Sequence, residues 1–431
     1  MARRRPGKER RSARSHRVAA GLLCLLTAVG PAVAKTWTLA PGDTLVEAMA
    51  RAESGDTLRL APGDHQGPIV IDKPLTLLGE PGTRILGPGS GSVITIDAPD
   101  TTLRGLTVTG SGLSLESEDS GVFVTKAGDR ALIEDNRLDD NLIGVFLKGP
   151  EAAVVRGNRI VGREDLRVNE RGNGVQLWNT PGSIVEENAF RLGRDGIFVT
   201  TSKRNVFRGN VFRELRFALH YMYTHDSLVA DNLSVGNHVG YALMFSDRLE
   251  VTGNRSHGDR DRGLLLNYAN KSLIAGNVVR DGPEKCVFIY NANRNRLLRN
   301  RFEGCAIGVH FTAGSERNTI AENAFVGSRN QVKYVGSKHI EWSLEGRGNY
   351  WSDNTAFDLD ADGIADRPYR PNDLVDQIVW RHPLAKLLLS SPAVHLLAWA
   401  QAEFPSLQPG GVVDSAPLMA PPPIAAQAGD G

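Results

Sequence analysis

His220 and Met222 stand two residues apart, and Met244 follows Met222 by 22. Side chains two apart on an extended strand face the same side, so a repeat of that length would gather one imidazole and two thioethers on one patch. This donor set is soft: it suits Cu(I) and excludes hard cations. A transient copper site is one reading of it, and a Met- and His-bearing contact surface is the other. Tyr223, His225, His238 and His257 fall in the same stretch, and none of these residues has zinc-finger spacing.

A second candidate is the acidic run Asp358-Leu359-Asp360-Ala361-Asp362-Gly363-Ile364-Ala365-Asp366. Asp358, Asp360, Asp362 and Asp366 take positions one, three, five and nine of a calcium loop with glycine at six, but Tyr369 stands where a bidentate glutamate is expected. A hydrogen-bonded acidic turn is the alternative to bound calcium. Sugar-cleaving chemistry would need paired carboxylates on one face. The column Glu134, Arg156, Glu186, Arg208 alternates in sign instead, which predicts an ion-pair ladder. The loop carboxylates Asp195, Asp259, Asp261, Asp281 and Glu284 interleave with Arg194, Arg216 and Arg260, so solvated ion pairs account for them. No catalytic residue is assigned.

What must position these residues is a repeat. Asparagine recurs at 136, 158, 188, 210, 232, 254, 277, 300, 323 and 349, mostly in steps of 22 or 23, which marks a solenoid. Each unit holds short alternating runs and nothing long enough for a helix, so the expected fold is all-β, a right-handed parallel β-helix. The asparagine is expected to take a corner with unusual backbone angles and to hydrogen-bond along the stack. Counting from it, positions nine and eleven should point inward (Val145/Leu147, Ile197/Val199, Leu219/Tyr221, Cys286/Phe288). Positions ten and twelve should then point outward (Phe146, Phe198, His220/Met222, Met244, Leu264/Leu266, Val287/Ile289). So apolar an outer face predicts a partner surface carrying Phe146, Phe198 and Leu264, or cover by the C-terminal tail.

The ends read differently. Residues 1–34 carry a basic stretch, an apolar run and Ala32-Val33-Ala34, the form of a signal peptide. Their eight Arg/Lys against one Glu turn the formal +1 into about −6 for the rest, and nothing points to nucleic acid. Residues 35–100 read as a helix-bearing cap and first coils, and 101–355 as the repeats, with an insertion between Asn158 and Asn188. In 356–404 the acidic loop is followed by two short helical apolar segments, carrying Leu387 and Trp399, that would cap the end or dock on a partner. The Pro/Ala-rich residues 405–431 are expected to be disordered. Cys286 and Cys305, 19 residues apart on neighbouring coils, could form a disulfide in an oxidising compartment, but one is expected inward on a strand and the other in a turn, which favours free thiols.

Coils leading into Gly348-Asn349-Tyr350-Trp351-Ser352-Asp353-Asn354, then the acidic run, then a Trp/Leu-rich tail, resemble the NosD family of periplasmic accessory proteins for nitrous oxide reductase. The resemblance spans residues 35 to about 404. It implies a periplasmic, non-enzymatic maturation role: docking on an ABC-type transporter, with its membrane subunit and ATPase, and assembly of the reductase's copper-sulfide centre. A copper chaperone lipoprotein is a further implied partner. A secreted carbohydrate-active β-helix enzyme is the alternative.

Overall fold

The computed structural model describes residues 34–336, 338–372, 374–388, 391–404 and 410–424. The signal segment expected in residues 1–34 lies almost wholly outside them. The chain winds into three parallel sheets of 13, 13 and 12 strands. The first runs from Thr36–Leu39 through Leu132–Glu134 to Thr319–Ala321, and the second from Gly63–Gln66 through Arg137–Asp139 to Tyr350–Trp351. The third, from Ile69–Ile71 through Ile143–Lys148 to Asn330–Val335, carries His220, Met222 and Met244.

No coil could bury a core alone. The residue three before each of the first nine asparagines (Ile133, Val155, Val185, Phe207, Val229, Val251, Ile274, Leu297, Ile320) is buried against its neighbours along the stack. The asparagines make the first corner, between the first and second sheets. Each Oδ1 accepts both the backbone N–H and the Nδ2–H of the preceding asparagine: Asn210 N and Nδ2 lie 3.0 Å from Asn232 Oδ1, and Asn232 Nδ2 gives its other proton to Phe207 O at 2.9 Å. The unusual backbone falls one residue earlier than expected. Asp135, Gly157, Glu187, Gly209 and Asp231 have φ of 53–65°, which frees the asparagine to aim its amide into the stack.

The ends are closed. Helix α1 (Leu45–Arg51) buries Leu45, Ala48 and Met49 over the first coils, and Lys73 Nζ donates to its last carbonyls, Met49 O and Ala52 O, at 3.1 Å. At the far end Phe325, Trp351 and Tyr369 stack at 4.3 and 4.7 Å. The tail expected to lack order is ordered over 410–424. Val412–Val413 pairs with Ile340–Glu341, and Val412, Asp414 and Leu418 are buried. Asp414 is the reason. Its Oδ2 accepts Asn349 N (2.7 Å), Asn349 Nδ2 (3.2 Å) and Trp351 Nε1 (2.7 Å), which makes a carboxylate the eleventh rung of the asparagine ladder. A Cβ at Gly348 would overlap that carboxylate. Helices α2 (Leu374–Arg381) and α3 (Pro392–Glu403) follow the acidic loop, and none in the described chain is long and apolar enough to cross a membrane.

Two further expectations need correction. Cys286 and Cys305 form a disulfide with Cα atoms 5.6 Å apart. Cys305 sits at the second corner, one coil beyond Gly282, where its Sγ would be in ordinary contact with a Cβ at Gly282. The count from the asparagine also slips in the two 23-residue coils that start at Asn254 and Asn277, though not in the one that starts at Asn300, where Val309 and Phe311 stay inward. Leu264 pairs with Tyr241 and Val287, all inward, while Leu265 and Phe288 take the outward column after Ala242. The extra residue precedes the strand, so every side chain there changes face. Leu264, Leu266, Val287 and Ile289 are therefore core, and Phe288 faces out.

Candidate copper site on the outer face of the third sheet

The strand Phe217–His225 sets His220 and Met222 on one side, and its neighbour Val239–Met244 pairs Met222 with Met244 and His220 with Ala242. Register partners on adjacent strands lie about 4.8 Å apart, so the three expected donors meet on one patch. Both methionines are half-buried, and Ala242 contributes only a methyl beside the imidazole.

His220 is held firmly. The rings of Phe217 and Phe198 lie 4.8 and 5.0 Å from it, and its Nδ1 is 3.0 Å from Asp195 Oδ2. A carboxylate can only accept, so Nδ1 carries the proton and the Nε2 lone pair is left for a metal, with the imidazole oriented by Asp195. Asp195 is fully buried and also takes Arg216 through Nε (2.8 Å) and Nη2 (2.7 Å). Burial pushes its carboxyl up, but the bonds from His220 and Arg216 outweigh burial and hold it below its ordinary value, so it stays ionised. Sequence reasoning treated Asp195 and Arg216 as a solvated pair. The signal that separates them from such a pair is their place at the head of two neighbouring strands, Asp195 pairing with Phe217 three residues before His220.

The other expected residues scatter. Asp247 N donates to His225 Nδ1 (3.0 Å), and His257 faces Asp281 from the second sheet, at 3.1 Å. Phe146 points outward as expected but is 1 % exposed, because Leu166 from the insertion packs on it with Leu142, Ile143 and Phe123, so it is not a free partner surface. Phe198 is half-buried beside His220, and Leu387 and Trp399 are 86 % and 58 % exposed on the C-terminal helical segments. In the acidic loop Asp358, Asp360 and Asp362 bring carboxylate oxygens within 4.8 Å of one another. Asp366 stands apart, accepting Leu359 N, while Asp358 and Asp362 accept Gly363 N and Ile364 N. The loop thus closes on its own hydrogen bonds. The alternating column does form the expected ladder, Glu134 to Arg156 to Glu186 to Arg208.

In fold, the chain is similar to PfbA, a surface adhesin of Streptococcus pneumoniae, with a TM-score of 0.55 at 12 % identity over 74 % of this chain and 92 % of that one. Residues 156–356 match the family model described as "Periplasmic copper-binding protein (NosD)". The chain is 40 % identical to the probable ABC transporter binding protein NosD of Stutzerimonas stutzeri, over 84 % of this chain and 86 % of that one. It is 43 % identical to the protein of the same name from Pseudomonas aeruginosa, over 86 % and 90 %. The chain belongs to the NosD family. That family is periplasmic, and so is this protein; its relatives are named as binding proteins, not as enzymes, which sets the carbohydrate-active alternative aside.

Proposed function

We propose that this protein is the periplasmic docking subunit of an ABC-type transporter and serves assembly of the copper-sulfide centre of nitrous oxide reductase. In this reading it holds Cu(I) transiently at His220, Met222 and Met244. The observation that carries the copper step is the meeting of Met222 and Met244 in register beside an imidazole whose other nitrogen is fixed by a buried carboxylate. Three donors on an outer face leave a fourth position for a ligand from a delivering protein, such as a copper chaperone lipoprotein. The exposed Leu387 and Trp399 would seat the protein on the transporter's membrane subunit, whose ATPase lies across the membrane.

The test is a Cu(I) titration of the mature protein under a competing chelator, beside the double variant Met222→Leu, Met244→Leu. The leucines keep volume and apolarity, so the fold should survive with a loss below about 1.5 kcal/mol, while copper affinity falls. Equal copper retention by both proteins, or none by either, would make the patch a contact surface.

A further inference from the structure

Beside the Met222/Met244 column runs another, formed where the strands leave the third sheet. Tyr223, Phe245 and Tyr268 occupy it with φ of 51°, 50° and 52°. Their rings stack face to face at 5.1 Å and 5.2 Å, with interplanar angles of 21° and 9°, and Tyr290 closes the row edge-on at 6.0 Å. Tyr223, Tyr268 and Tyr290 remain 51 %, 42 % and 41 % exposed. Three residues further along each coil, at the corner between the third and first sheets, stand Arg248, Lys271, Arg294 and Arg317. They stack through the bonds Arg248 N to Asn270 O, Lys271 N to Asn293 O and Arg294 N to Glu316 O, at 2.9–3.0 Å.

Charges at other corners meet their opposites, as Asp100 meets Arg130 and Asp226 meets Arg248, and where arginines stack in register a carboxylate pairs with one of them, Asp139 with Arg137 next to Arg159 and Glu214 with Arg191 next to Arg213. Above Arg248 that rule stops. Lys271, Arg294 and Arg317 are exposed on three successive coils, and none forms an ion pair with the described residues. The carboxylates nearby are engaged: Glu316 holds Lys338 at 2.7 Å, and Asp247 takes Asn270 Nδ2 at 3.0 Å. Like charges at one register position repel, and the chain beyond residue 34 is net acidic, so composition alone does not account for the run. The three cations line an open groove of about 520 Å³ together with Asp247 and Glu316, the two carboxylates already engaged.

The rings narrow the ligand class. A sugar stacks on an aromatic face, but here both faces of Phe245 are spent on Tyr223 and Tyr268, each of which spends one face on it, and the Tyr268 hydroxyl accepts Asn291 Nδ2 at 2.9 Å. Such a row beside exposed cations suits a protein surface, where tyrosine anchors and flanking charges are common. We propose that this edge is a docking strip for an acidic protein partner, whose carboxylates meet Lys271, Arg294 and Arg317 while its apolar contact covers the tyrosine row and comes to rest beside Met222 and Met244. The contact stands on its own residues; only the purpose, bringing a metal-carrying partner to the methionines, rests on the copper reading.

The probe is a short fluorescent polyglutamate peptide, followed by anisotropy with the mature protein. Wild type should bind it, with affinity falling as salt rises. The combined Lys271→Glu, Arg294→Glu, Arg317→Glu variant should bind at least about tenfold more weakly, with its Cu(I) uptake unchanged. The Gln versions of the three substitutions give the same comparison if the reversed charges unfold the protein. Absence of binding by wild type, or equal binding by the variant, overturns the strip. Tighter binding to polygalacturonate or to phosphatidylglycerol vesicles, dependent on the same three cations, overturns the partner class. Copper retained by the Met222→Leu, Met244→Leu variant would sink the copper reading alone and leave the peptide result standing.

Discussion

The first and second corners of the coil solve one problem in two ways. At the first, ten asparagines from Asn136 to Asn349 repeat one arrangement, each amide taking two protons from the coil before and passing its own on. At the second, between the second and third sheets, the corresponding positions read Asn237, Asp259, Gly282 and Cys305. There Asn237 N meets Asp259 Oδ1 (2.8 Å), Ser234 and Ser256 hydroxyls donate to Asp259 Oδ2 (2.7 and 2.6 Å), and two coils on the polar stack gives way to the Cys286–Cys305 disulfide. A ladder of identical amides satisfies itself and can run indefinitely; a mixed corner must be completed by whatever lies beside it. The variable corner borders the third sheet, where His220, Met222 and Met244 sit, so the regular edge carries the fold and the irregular one adjoins the candidate site.

The uniform ladder is most vulnerable where it ends. Asp414→Leu would leave Asn349 N and Trp351 Nε1 in the interior without their acceptor, and Ala416 N would lose Asp414 Oδ1, while Asn349 Nδ2 keeps Trp342 O and Ile320 O. The expected loss is about 3 to 5 kcal/mol, since each buried donor left unpaired costs about 1 to 3. Chemical denaturation is the measurement, and a variant as stable as wild type would show that the tail only rests on the last coil. Asn232→Leu, in the middle of the same ladder, strands two donors of Asn210 and should cost less, about 1 to 3 kcal/mol. A larger loss at Asn232 than at Asp414 would reverse this ranking of end over middle.

How legible each corner is in the sequence follows from the same contrast. One asparagine at a nearly fixed step declares the first corner, and with it the period, the parallel sheets and the inward column of Ile133, Val155 and Val185. Asp414 was hidden because it comes 65 residues after Asn349, in a stretch whose Pro and Ala content reads as disorder. The third-sheet face was misread in the two coils that start at Asn254 and Asn277. His220, Met222 and Met244 fell on the right side, but one added residue before Leu264 moved Leu264 into the core and Phe288 out of it. Burial of Phe146 by Leu166 depends on an insertion whose packing no periodicity encodes. The row Tyr223, Phe245, Tyr268 was readable in principle, being three aromatics at steps of 22 and 23.

The second corner offers the smallest effect and the cleanest sign. Burial is the largest influence on Asp259 and raises its carboxyl from 3.8 to about 6, against the bonds from Ser256, Ser234 and Asn237 N. In the unfolded chain this carboxyl is ionised throughout pH 5 to 7, whereas in the folded protein it takes up a proton across that range. The folded state then binds more protons than the unfolded one, so the contribution of Asp259 to stability rises as pH falls from 7 to 5, by about 1 kcal/mol, and is lost again as pH climbs through 6. His310 acts oppositely, because burial and then the charges of Lys333, Lys285 and Arg262 lower its imidazole to about 4. The wild-type profile therefore mixes two slopes, and the informative quantity is its difference from Asp259→Asn. That variant keeps an oxygen for Asn237 N and an amide that the two serine hydroxyls can accept, so it should fold. Subtracting the denaturation free energies cancels His310 and should leave wild type gaining on the variant as the solution is acidified from pH 7 to 5. A flat difference would mean that the serines hold Asp259 as a plain carboxylate, and that the mixed corner is as settled at neutral pH as the asparagine ladder opposite.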